Sequence, residues 1–190
     1  DWASLYNYTP SYLTMAKSKV PLVLRASFTS TGAEQAAGEQ LAIDLSAYVD
    51  ALAGKVLRIR NVWFGMDYSD SQAIPTTLYE ADAPVGTVQL TTGTQTSIKA
   101  MSDDRVIAMQ QYYFQAADAA GDTNPPQWFS VLPVPDMGFY VAADALTFMQ
   151  ETSGDVFDED TRFLCVIEAE RVKLTASDVN FLLVNQTLTG

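Results

Sequence analysis

Between Leu41 and Tyr68 the chain reads LAIDLSAYVDALAGKVLRIRNVWFGMDY, a spacing that fits a strand, a short helix and a second strand in immediate succession. Leu41, Ile43 and Leu45 alternate with Ala42 and Asp44, the two-residue period of a strand with one buried face. Ser46 then supplies a hydroxyl able to cap free amides, so a helix is expected from there. Gly54 can end it in a left-handed conformation, which costs least in a residue without a Cβ. From Lys55 to Phe64 the chain is rich in Val, Ile, Leu and aromatic residues, which suit a pleated surface. The stretch predicts a sheet protein with small helical insertions.

The remaining segments repeat that pattern. Val20–Ser30 places Leu22, Leu24, Ala26 and Phe28 on one face, and Pro21 suits a strand start or a sheet edge. The Thr-rich segment Val85–Lys99 reads as a solvent-facing hairpin turning near Thr92 and Gly93. Arg105–Phe114, Trp128–Leu132, Gly138–Ala143, Ala145–Gln150 and Thr161–Leu174 read as further strands. Ser69–Pro84 is a long connection with a short strand expected at Thr76–Tyr79, and Pro125-Pro126 blocks a helix in the connection that ends there. Thr175 and Asp178 stand three apart before an apolar run, in the manner of a capping box, so a short terminal helix is expected. About eight strands and two brief helices, at 46–54 and 175–188, favour an all-β sandwich over residues 20–190, and specifically a single jelly roll, rather than an α/β fold. Periodicity cannot order the strands, and the topology is left to the resemblance described below. One domain suffices for 190 residues.

Residues 1–19 fit neither period. The segment begins without methionine, which reads as a processed end, and it lacks the basic start and apolar middle of an uncleaved signal peptide. Trp2, Tyr6, Tyr8 and Tyr12 would be costly to leave in water, so an arm lying on its own domain or on a neighbouring subunit is expected. No apolar run approaches the roughly 18 to 20 residues of a membrane span.

Chemistry is constrained mainly by what is missing. There is no histidine, which removes Ser-His-Asp and Cys-His arrangements and the usual zinc sites. There is neither a GxxxxGK[ST] loop nor a GxGxxG after a strand. A net charge of −12 repels polyphosphate and argues against direct nucleic-acid binding. The single cysteine, Cys165, lies in an apolar run and reads as a small buried hydrophobe. Asp155, Asp158 and Asp160, in GDVFDEDT, place several oxygens at short spacing and are the candidate Ca²⁺ ligands, without the EF-hand pattern; otherwise no cofactor is expected. Glu168 and Glu170 share a strand face, as paired carboxylates of a glycosidase could, but nothing fixes a cleft around them, and no enzyme is expected.

The segments IDLSAYVDALAGKVLRIRNVWF and TRFLCVIEAERVKLTASDVNFLLVNQTLT resemble the major capsid proteins of tailless icosahedral viruses with vertical single jelly rolls, known from haloarchaeal viruses and their relatives. In that family a strand feeds a short helix and returns as a long strand, and a late strand runs into a terminal helix. The resemblance implies a capsid subunit in the virion that associates with copies of itself into capsomers. It also implies possible neighbours: a second capsid protein, spike or penton proteins and an internal membrane. The alternative is a non-catalytic carbohydrate- or surface-binding sandwich, in which Trp63, Tyr112, Tyr113 or Trp128 would stack on sugars.

Overall fold

The alternating runs of the sequence become strands of two antiparallel sheets. The structure, a computed structural model, describes residues 21–31, 38–68, 70, 85–113, 127–153 and 160–187. In chain order the elements are β1 (Leu22–Ser30), β2 (Glu39–Asp44), a 3-10 turn (Ala51–Ala53), β3 (Lys55–Tyr68), β4 (Val85–Thr92), β5 (Val106–Tyr113), β6 (Gln127–Leu132), β7 (Phe139–Val141), β8 (Ala145–Ser153), β9 (Thr161–Lys173) and the helix α1 (Ala176–Thr187). One sheet has the order β1-β9-β3-β7 and the other β2-β8-β4-β5-β6.

The pairing is nested. β1 pairs with β9, β2 with β8, β3 with β7 and β4 with β5, all antiparallel, so the first strands meet the last and the middle strands meet each other. β1 to β4 alternate between the two sheets, as do β6 to β9, while β4, β5 and β6 share the second, and a nested ribbon rolled in this way is a jelly roll. β6 extends the second sheet beyond β5.

Alternation decides the core. Leu22, Leu24, Ala26 and Phe28 of β1 face inward, as do Phe163, Cys165, Ile167 and Ala169 of β9. They meet Val88 and Leu90 of β4, Tyr112 of β5 and Leu146 and Phe148 of β8. Rings link the sheets: Phe28 lies 5.0 Å from Phe148, Phe64 lies 5.8 Å from Phe148, and Tyr112 lies 6.2 Å from Phe163, while within the second sheet Tyr112 lies 5.2 Å from Trp128.

Two expectations are corrected. Residues 46–54 form no α-helix, because local groups claim the donors a helix needs. Asp44 Oδ1 accepts from Ser46 N at 2.8 Å, Asp50 and Lys55 exchange two backbone hydrogen bonds, and Asp50 Oδ1 accepts from Ala53 N at 3.1 Å. Leu45 and Val49 are buried and pin the turn to the core. Gly54 closes it at φ +72°, and a Cβ there would lie 2.6 Å from Leu174 O. The second correction concerns Val85–Lys99. Only Val85–Thr92 is strand, and residues 93–105 fold back over the outer face of the second sheet before β5 begins.

That fold-back explains why polar residues of β4 are buried, not solvated. Gln89 Nε2 donates to Lys99 O and Gln89 Oε1 accepts from Lys99 N, both at 2.8 Å, so the side chain pairs with the loop backbone as a strand would. Thr147 Oγ1 donates to Gly93 O at 2.6 Å and accepts from Gln95 N at 3.1 Å. Gln89 and Thr147 are thus buried with hydrogen-bond partners, as burial of a polar group requires.

The terminal helix matches its expectation. Thr175 Oγ1 accepts from Asp178 N at 3.3 Å and donates to Asp178 Oδ2 at 2.6 Å. Val179 of α1 packs with Val56 and Ala142 against the lower outer face of the first sheet. Gln186 locks the far end: its Oε1 accepts from Ala142 N at 2.9 Å and its Nε2 donates to Tyr140 O at 2.5 Å. Residues 1–20, with Trp2, Tyr6, Tyr8 and Tyr12, and the strand expected at Thr76–Tyr79 lie outside the described residues.

Gly86 tests this packing. The Tyr112 ring crosses the space that a Cβ at position 86 would occupy, and Tyr112 is fully buried. Gly86→Ala is expected to lower stability by about 1–3 kcal/mol in urea unfolding, with part regained in Gly86→Ala/Tyr112→Leu. An unchanged midpoint in the single variant would show that the ring can move aside.

Candidate functional surfaces

The roll has two unlike ends. The connections 45–54, 93–105 and 142–144 meet at one end, where α1 covers the sandwich. At the other end β1, β3, β5 and β8 finish and β2, β4, β6 and β9 begin. The sequence between those strand ends, 31–38, 69–84, 114–126 and 154–160, carries ten of the 23 acidic residues and no Lys or Arg.

Toward those strand ends the core finishes in a polar cluster. Tyr112 Oη and Thr152 Oγ1 are hydrogen-bonded at 2.7 Å, and Gln150 Nε2 donates to Tyr112 Oη at 3.2 Å and also to Thr152 Oγ1. Burial pushes the Tyr112 phenol up to about 12, so it stays neutral across the physiological range. Burial likewise raises the Cys165 thiol, which keeps it protonated and inert.

The outer face of the first sheet is open above α1. Register places Arg25, Val166 and Trp63 in one row across β1, β9 and β3, with Val23, Glu168 and Asn61 on one side of it and Ser27, Leu164 and Gly65 on the other. Trp63 is 51% exposed. Ion pairs bracket the patch. Arg162 meets Asp67 in a two-bonded fork at 2.8 and 2.9 Å. Arg58 bonds Glu170, and Arg60 approaches the same carboxylate at 3.6 Å. Asn61 Nδ2 donates to Glu168 Oε2 at 2.7 Å. Arg25 meets no carboxylate at ion-pair distance among the described residues.

The outer face of the second sheet carries a different patch. Tyr113 and Phe129 stack with centroids 5.4 Å apart and planes 11° apart, and Val85 is Tyr113's register partner. Phe129 is 48% exposed. Glu151, Thr87, Gln111 and Phe129 form one row across β8, β4, β5 and β6. The strands of this sheet hold Glu39, Asp44 and Glu151 and no basic residue.

The sequence candidates are dispersed by the fold. Of the proposed sugar-stacking residues Trp63 is exposed, Tyr113 stacks outside on Phe129, Trp128 packs against the core, and Tyr112 is buried, a correction that follows from its inward register opposite Gly86. Glu168 and Glu170 do share the outer face, each held by its β3 partner. Asp160 is exposed ahead of β9, while Asp155 and Asp158 lie outside the described residues. Sequence reasoning missed Phe129, Arg25 and Glu151. Phe129 follows Trp128 directly, so one faces in and one out, and the order depends on register. Beneath α1 an open depression of about 450 Å³ is lined by Val49, Gly93, Gln95, Ala142, Asp144 and Leu183 among others.

No family model matches the chain and no curated protein matches it. Among solved structures, it is similar to VP1 of Trichodysplasia spinulosa-associated polyomavirus in complex with sialylated precision glycooligomers. The identity is 8%, the TM-score 0.34, and the match covers 80% of this chain and 94% of that one. The jelly-roll assignment rests on the strand pairing above. Among the described residues no helix is long and apolar enough to cross a membrane.

The fold-back loop has its own electrostatic lock. Arg105 donates to both carboxylate oxygens of Asp103, at 2.8 and 2.6 Å, and these bonds lower the Asp103 carboxyl from 3.8 to about 2. A depressed folded-state value means the contribution is complete above about pH 4 and is lost as pH falls toward 2. Asp103→Asn is expected to cost about 1 kcal/mol at pH 7, with the gap to the parent closing between pH 4 and pH 2. A gap that stayed constant across that window would contradict the lock.

Proposed function

We propose that this chain is a structural subunit of a virion shell, a jelly roll that associates with copies of itself into capsomers of an icosahedral capsid. The observation that carries the reading is where the two resembling segments fall in the roll. The first is β2, turn and long β3; the second is β9 running into α1. The family pattern has a strand, a short insertion and a long returning strand at the first place, and a late strand entering a terminal helix at the second. Exposed aromatic patches on both outer faces supply contact area without catalytic machinery. The net charge of −12 keeps such a subunit off the genome, so contact with nucleic acid would run through other proteins or a lipid layer. A second capsid protein, spike or penton proteins and an internal membrane are the further partners of this reading.

Trp63 favours a second reading, a carbohydrate-binding module, because an exposed indole on a flat sheet is a stacking platform for sugar rings. Sedimentation of the natively isolated chain, with electron microscopy of the same fractions, separates the two. Shells or rings of regular size are the expected result. A 20.8 kDa monomer at every salt and protein concentration, with glycan binding lost in Trp63→Ala, would replace the capsid reading by the module.

A further inference from the structure

Resting on the self-association reading, we propose that neighbouring copies join head to tail, the outer face of β1-β9-β3 in one copy seating on the outer face of β4-β5-β6 in the next. Each face is centred on an exposed aromatic residue, Trp63 on the first and Phe129 on the second. Aromatic anchors of this kind carry most of the energy of protein contacts.

Charge selects the pairing. The open part of the first face presents Arg25, Arg58, Arg60 and Arg162 against Asp67, Glu168 and Glu170. Asp67 neutralises Arg162, Glu170 is shared by Arg58 and Arg60, and Glu168 bonds the neutral Asn61, so four cations face three carboxylates and the face carries one net positive charge, with Arg25 outside any ion pair among the described residues. The second face presents the exposed Glu151, which meets no cation at ion-pair distance among the described residues, and its strands hold no basic residue. The fold-back loop that crosses its lower part adds Lys99 and Arg105 against Asp103 and Asp104, which balance.

Geometry agrees with charge. Arg25 and Trp63 lie in one row two strands apart, about 10 Å at the usual strand spacing. Glu151 and Phe129 lie in one row three strands apart, about 14 Å. With Trp63 over Phe129, the flexible arginine and glutamate side chains span the difference. A two-fold contact of the first face with itself would bring two net-positive faces together. One of the second face would leave Glu151 opposite an acidic surface, and like charges in contact disfavour both. A heterologous contact repeats from copy to copy and closes into a ring when its rotation allows.

Complementation tests this. Trp63→Glu blocks the first face and Phe129→Glu the second, and both positions are exposed, so both variants should keep the parent's circular dichroism spectrum. Each variant alone is expected to sediment as a monomer, and an equimolar mixture as a 1:1 pair that grows no further, because one native contact survives. Arg25→Glu on the chain bearing Phe129→Glu should weaken that pair about tenfold, and Glu151→Arg on its partner should restore it. If the parent assembles but Phe129→Glu or Trp63→Glu still self-associates alone, or the mixture fails to pair, the head-to-tail assignment falls and the self-association reading stands. If the parent never assembles, that reading falls with it.

Discussion

Six rings hold the roll together. Phe28, Phe64 and Phe163 project from the first sheet, and Phe148, Tyr112 and Trp128 from the second, with centroid separations of 5.0 to 6.2 Å across the contacts that join them. Rings at these separations bury large apolar area and pack in tilted or stacked geometry that fixes how the sheets sit on each other. Their arrangement leaves no space at position 86, so a glycine stands under the Tyr112 ring. The core therefore dictates a backbone residue on β4, and through β4 it fixes the central pairing of the second sheet.

Satisfying the polar groups around this apolar centre takes different forms at the two ends. At the end covered by α1, side-chain amides imitate backbone: Gln186 completes the hydrogen bonding of β7, and Gln89 does the same for the loop at Lys99. These contacts turn the terminal helix and the fold-back loop into parts of the scaffold. At the other end hydroxyl and amide groups of Tyr112, Thr152 and Gln150 bond one another inside the sandwich. The chain's negative charge is concentrated in the connections that leave from there.

Sorting function to the faces follows from the same economy. The α1 end and the interior hold the roll together, and the outer faces retain exposed rings and incompletely neutralised charge. A subunit whose two faces differ in charge and in aromatic partner can be built into a larger body without symmetry in its own contacts. Such a contact repeats from copy to copy, as the proposed shell subunit requires.

By itself the sequence determined that the chain is a sheet protein, because the two-residue alternation in β1 and in the second half of β9 fits a strand with one buried face and not a helix. It also determined the terminal helix, since Thr175 and Asp178 act within one turn, and the burial of Cys165, which sits between apolar neighbours. The tertiary structure decided the rest. At 46–54 the capping serine suggested a helix, but bonds from Asp44 and the Asp50–Lys55 bridge took the donors. Along β4 threonine and glutamine implied solvent, yet a loop thirteen residues long covers them. Whether Trp128 or Phe129 faces water, and whether Arg25 shares a row with Trp63, depends on pairing between strands far apart in sequence. Period-two alternation marks two faces on every strand, and only the partner strand's register fixes which side-chain rows form across the sheet.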